Sequence, residues 1–96
     1  MIPGLQSRLS ESIVASTTTI TVKSDIAYVT GSTAIATIRP PSQGGFSTVI
    51  FLIPTASTVT TVTTGNISLA VTMALNQVTI FVWSFLNNKW YPGAIS

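Results

Sequence analysis

The stretch QVTIFVWSFLNNKWYPG, residues 77–93, contains a long run of large apolar side chains with Lys89 as its only charge. Read with the two-residue period of a strand, residues 77–86 place Val78, Ile80, Val82 and Ser84 on one face and Thr79, Phe81, Trp83 and Phe85 on the other. Both faces are apolar. The same holds for STVIFLI at 47–53, where Thr48, Ile50 and Leu52 oppose Val49, Phe51 and Ile53. An antiparallel strand with one wet face alternates apolar with polar, so these two strands are expected to be covered on both sides. One cover is an opposing sheet. The other is expected to be a neighbouring subunit, the alternative being two central strands of a tightly wrapped monomer.

Working outward, the chain has 96 residues, enough for one small domain that buries roughly 60–65% of its unfolded surface. Hydrophobic residues make up 46%, but charged residues only 6%, where about a quarter is usual. The six charges are Arg8, Glu11, Lys23, Asp25, Arg39 and Lys89, for a net +2. That is too sparse for a basic field that would hold nucleic acid or an acidic membrane. Small domains normally stay dispersed through interspersed ions, so permanent self-association or attachment to a larger assembly is expected. Without cysteine there is no disulfide framework and no thiolate chemistry. The best apolar run, VIFLI at 49–53, is far short of a membrane span and stops at Pro54. The opening MIPGLQSRLS lacks the basic and apolar regions of a signal peptide, and the chain is expected to be made in the cytoplasm as a complete product.

The rest of the chain also reads as strands. STTTITVK (16–23) alternates, IAYVT (26–30) follows, and Gly31-Ser32 turns into TAIATI (33–38). RPPSQGG (39–45) reads as a loop, since prolines cannot donate to a ladder. STVTTVTT (57–64) is too β-branched for helix, and Gly65-Asn66 is expected to turn tightly into ISLAV (67–71). Asn87-Asn88 is expected as a type I′ turn leading to KWYP. The expectation is an all-β domain over residues 16–96, a small β-sandwich or jelly roll. Residues 1–15 read differently: Ile2, Leu5 and Leu9 follow 3-then-4 spacing, with Ile13 continuing the stripe, as in a short helix. A helix that short is marginal in water, so it is expected to dock on its own domain or to join a collar with other copies.

Chemical inventory argues against an enzyme. Histidine and cysteine are both absent, which removes the imidazole base, the thiolate nucleophile and the usual zinc and iron ligand sets. The two carboxylates, Glu11 and Asp25, each have a cation nearby in sequence and read as surface groups. Calcium cages draw on more carboxylates than these, and no cofactor is expected. The glycines of SQGGFST precede a strand and lack the ending of a phosphate loop. Asn87, Asn88, Trp90 and Tyr91 form the one place where exposed aromatics beside polar side chains could meet a glycan, the plainer reading being a packed sheet edge.

The order TTTITVKSDIAYVTGSTAIATIRPP, GGFSTVIFLIPTASTVTTVTTGNISLA and NQVTIFVWSFLNNKWYP resembles a β-domain of tailed-bacteriophage structural proteins, found in tail fibres and in head decoration or head-fibre proteins. The similar elements are VTGSTAIATI, the LIP strand end, TTGNISLA and KWYP, within residues 17–92. IPGLQSRL likewise resembles the short segment that often precedes such domains. The chain departs from the pattern at Ala27-Tyr28, where histidines are common, and at Asn87-Asn88, where an Asp-Gly turn is common. Those departures put any shared ligand or metal on that face in doubt. The resemblance implies a trimeric component of the virion, with no enzymatic activity, that meets sister copies and the major capsid protein or another virion protein. Ile2, Leu5, Leu9 and Ile13 would be the anchor or collar, and Phe51, Phe81, Trp83 and Phe85 the core and subunit contacts. A tail-fibre or receptor-binding module that recognises host-surface glycans is the alternative.

Overall fold

A computed structural model describes residues 10–39 and 47–94, and every regular element in them is a strand. β1 (Glu11–Ala15) runs parallel to β3 (Ile26–Thr30), which runs parallel to β5 (Thr48–Pro54). Parallel neighbours require a crossover. Each crossover here carries a short strand of its own, β2 (Thr19–Thr21) and β4 (Thr37–Arg39), and these two also pair in parallel. Beyond β4 on that wall, Ile35 makes a parallel bridge to Thr61. The first half of the chain is therefore a coil that lays one strand on each of two walls at every turn.

The second half closes the coil. β6 (Val59–Thr60) pairs antiparallel with β7 (Thr72–Met73), while β8 (Thr79–Ser84) returns antiparallel to β5 and β9 (Lys89–Ala94) antiparallel to β8. The result is a five-stranded mixed sheet in the order β1-β3-β5-β8-β9, facing the β2-β4 and β6-β7 pairs. One apolar core joins them. Ala27, Val29, Ile50, Leu52, Phe81 and Trp90 come from the large sheet and Ile20, Ile38, Val59 and Met73 from the two pairs. Alternation explains the choice: in IAYVT the burial runs half-buried, buried, half-buried, buried, half-buried, so Ala27 and Val29 point inward. Each fully buried Ile, Leu or Phe contributes about 1.5–3 kcal/mol.

Asn66 and the Trp90 indole link the two walls. Asn66 lies beside β4, where its Oδ1 accepts from the Ile38 N–H at 2.9 Å and its Nδ2 donates to the Ile38 carbonyl at 2.9 Å. Its own carbonyl accepts from the Trp90 N–H at 2.8 Å, and the Trp90 indole Nε1–H donates to Ile38 O at 2.9 Å. Gly65 makes this approach feasible, since a Cβ there would collide with the Ala36 carbonyl oxygen and Thr37 Oγ1.

The all-β class expected from the sequence is what forms, but the sheet is mixed, with parallel pairs that a wholly antiparallel jelly roll would lack. No helix occurs among the described residues. Ile13, expected on a helical stripe, is instead in β1 opposite Tyr28, because the β-branched pair Ile13-Val14 favours extended backbone and the segment finds a ladder on β3. Ile2, Leu5 and Leu9 lie outside the described residues. ISLAV is not a strand either. Only Ile67 makes a bridge, to Trp90, because the Asn66 carbonyl and the Ser68 N–H are bonded to the edge of β9. The Asn87-Asn88 turn is longer than expected: Phe85 to Asn88 connect Ser84 to Lys89, and of these only Asn88 takes positive φ (55°). The Asn88 N–H closes the turn on Ser84 O at 2.7 Å.

Candidate interaction surface

The face of the large sheet turned away from the core is the candidate surface. Its register sets residues in rows across the strands: Val49, Val82 and Tyr91 in one, Ile26, Phe51 and Ile80 in the next, and Ile13, Tyr28 and Ile53 in the third. All nine of these residues are apolar or aromatic, and the second row ends in Glu11 on β1 and Gly93 on β9. Ile13 is 75% exposed, and Val49, Val82 and Tyr91 about 40%, against full burial for their inward neighbours Ile50 and Phe81. The β2-β4 and β6-β7 pairs both pack on the inner side through the core, so no described strand lies over these rows. Five strands at about 4.8 Å and five residues at about 3.3 Å give a face of roughly 400 Å². That is the size of the largest apolar patch on an ordinary monomer, and such patches are commonly functional.

Among the described residues, the charges on this face are at its rim. Glu11 is on the edge strand β1, and Lys89 is at the start of the opposite edge strand β9. The Tyr28 hydroxyl donates to Glu11 Oε2 at 3.1 Å. That bond, together with the negative charge of Glu11, raises the Tyr28 phenol above its ordinary pKa. Asp25 is engaged differently: its Oδ2 accepts from the Ser10 N–H at 3.1 Å and the Ser10 hydroxyl at 3.2 Å, which fixes the entry to β1. Both carboxylates are thus held by hydrogen bonds, Glu11 from Tyr28 on β3 and Asp25 from Ser10 just ahead of β1.

The residues proposed for a glycan divide. Asn87, Asn88 and Tyr91 are exposed, and Asn87 Nδ2 donates to the Tyr91 hydroxyl at 3.1 Å, which holds the phenol against the β8–β9 connection. Trp90 is not available. It is fully buried, its ring centroid 5.3 Å from that of Trp83 and its indole N–H bonded to Ile38, because Trp90 takes the inward position opposite Trp83. Of the aromatics expected as core and subunit contacts, Phe81 and Trp83 are in the core and Phe51 is half-buried on the outer face. Phe85 is not a core residue. It leaves β8 at the connection, 49% exposed, beside Leu86 at 87%. Sequence reading missed Asn66, since an asparagine after glycine signals a turn and gives no sign of bonds to Ile38 or Trp90.

No family model, curated protein or solved structure matches the chain.

Proposed function

We propose that this protein is a structural component of a bacteriophage particle, a trimeric capsid decoration or head-fibre protein held on the outer capsid surface. The observation that carries this reading is the apolar outer face across five strands, with its ions, among the described residues, at the rim. A chain with so few charges has little else to keep such a face dispersed, and sister copies or a virion surface supply the cover. The resemblance to phage structural β-domains supplies the biological setting. The domain is a scaffold whose work is contact: it has no histidine or cysteine, and both of its carboxylates have structural hydrogen bonds.

The test is the assembled mass. Light scattering at micromolar concentration should give a multiple of three chain masses, and Val82→Lys should release protomers with an unchanged far-ultraviolet circular dichroism spectrum. A folded wild-type monomer that stays dispersed would refute the reading. Cryo-microscopy of intact particles should then find its density on the head.

A second reading, host-glycan recognition, is favoured by the exposed Asn87, Asn88 and Tyr91, with the phenol steered by the Asn87 amide. A glycan array that compares the wild type with Tyr91→Ala separates the two. A pure decoration protein shows no specific signal in either form.

A further inference from the structure

The two edges of the large sheet are built differently. On β1, the Ser10 carbonyl accepts from Ile26 N–H at 3.0 Å and the Ser16 N–H donates to Thr30 O at 2.8 Å, so the even-numbered residues bond to β3. Alternation along a parallel ladder then turns the N–H and C=O of Glu11, Ile13 and Ala15 outward. All three residues are exposed, and no strand among the described residues pairs with them. On β9, by contrast, the outward groups of Trp90 are taken by Asn66 and Ser68, and the next outward residue is Pro92, which has no N–H to offer. A proline and a covering segment are the usual protections of a sheet edge. β1 has no proline, lysine or bulge, its register with β3 being unbroken from Glu11 to Ala15, and no covering segment among the described residues.

We propose that β1 is a strand-pairing site for a second copy of this chain, whose own β1 adds to it antiparallel about a twofold axis through Ile13. This rests on the reading of the chain as a self-assembling unit and gives that unit a second contact beside the outer face. The strand is self-complementary in this register. Ile13 meets its counterpart, and each Glu11 faces the partner's Ala15, so every outward N–H finds an outward carbonyl across the axis. The only charge on the strand is thereby kept opposite a methyl group, where two facing carboxylates would repel. This is also the one antiparallel register that pairs the whole strand. It joins the two outer faces edge to edge, so that the Ile13, Tyr28 and Ile53 row continues into its mate. The apolar face doubles to roughly 800 Å², about what one partner contributes to a standard-size protein interface.

The test uses the full chain as purified, with Ile13→Pro, Ile13→Lys and the face variant Val82→Lys. Proline at this position removes only an outward N–H, so the bonds of β1 to β3 remain. Expected are a halved particle mass for Ile13→Pro with an unchanged circular dichroism spectrum, and the same for Ile13→Lys. In the wild type, the amides of Glu11, Ile13 and Ala15 should exchange about tenfold slower or more at high than at low protein concentration. An unaltered particle in both Ile13 variants, with those amides unprotected, overturns edge pairing and leaves the face reading standing. Protection that does not depend on concentration overturns it too, because the chain's own residues would then cover the edge. Filaments that grow without limit overturn the twofold. A wild-type monomer removes both contacts at once.

Discussion

Asn66 offers the sharpest test of the fold. Asn66→Ala removes the acceptor of the buried Ile38 N–H, and an unmet donor of that kind costs about 1–3 kcal/mol. It also removes the Nδ2–H bond to the Ile38 carbonyl, but that oxygen keeps the Trp90 indole, so this loss is only about 0.5–1.5 kcal/mol. The sum, about 1.5–4.5 kcal/mol, is a large part of the 5–15 kcal/mol that holds a domain together. At about 4–8 °C per kcal/mol for a domain of this size, the centre of that range lowers Tm by roughly 12–24 °C. Asn66→Asp separates the two bonds. At neutral pH the carboxylate still accepts from Ile38 N–H but sets a second oxygen against the Ile38 carbonyl, so this variant should be no more stable than the alanine. In acid the protonated carboxyl donates there instead. The folded state therefore holds the proton more tightly than the unfolded chain does and raises the pKa of the new group. The extra stability is complete below the unfolded carboxylate pKa of about 3.9 and is lost as pH rises through the folded value. Calorimetry of both variants between pH 3 and 7 reads this directly. An alanine variant within 3 °C of wild type, by a limit set at below 1 kcal/mol, or an aspartate variant as stable as wild type at pH 7, would refute the role given to Asn66.

Three further outcomes are expected. Trp90→Phe should lower stability by about 1.5–3 kcal/mol, read from the urea midpoint, because it vacates core volume and removes the indole N–H; an unchanged midpoint would mean the ring is not packed as described. Gly65→Ala should cost about 1–3 kcal/mol, because the new methyl must displace the backbone at Ala36, and a neutral result in thermal unfolding would contradict that approach. Glu11→Gln should lower the pH at which the Tyr28 phenol ionises, seen as phenolate absorbance that Tyr28→Phe abolishes. In the wild type the contribution of this bond to stability is present below the ordinary tyrosine pKa and fades as pH rises through the raised one.

The two-faced strands were legible because alternation is local: Val49, Phe51 and Ile53 against Ile50 and Leu52 can be read with no knowledge of neighbours, and the described face bears those outward residues. What sequence could not supply was partnership. Nothing in TTTIT or TAIATI says that β2 and β4 pair in parallel, because that pairing depends on how a crossover folds back. Lys89, Trp90 and Tyr91 plainly alternate, yet which of them turns inward is decided by register against Trp83 and by Ile38, 52 residues away. The short helix expected around Ile13 followed from 3-then-4 spacing, but a five-residue segment centred on β-branched Ile13 and Val14 takes the ladder when a strand edge is at hand.

The tilted Trp83–Trp90 pair has a practical consequence. The chain contains two tryptophans, and both belong to this one contact where β8, β9 and the Asn66 link converge. Tryptophan emission therefore reports the seating of the C-terminal hairpin on the coil. Neither indole lies on or beside the first strand, so a tryptophan melting curve and an exchange experiment on β1 interrogate opposite ends of the same sheet.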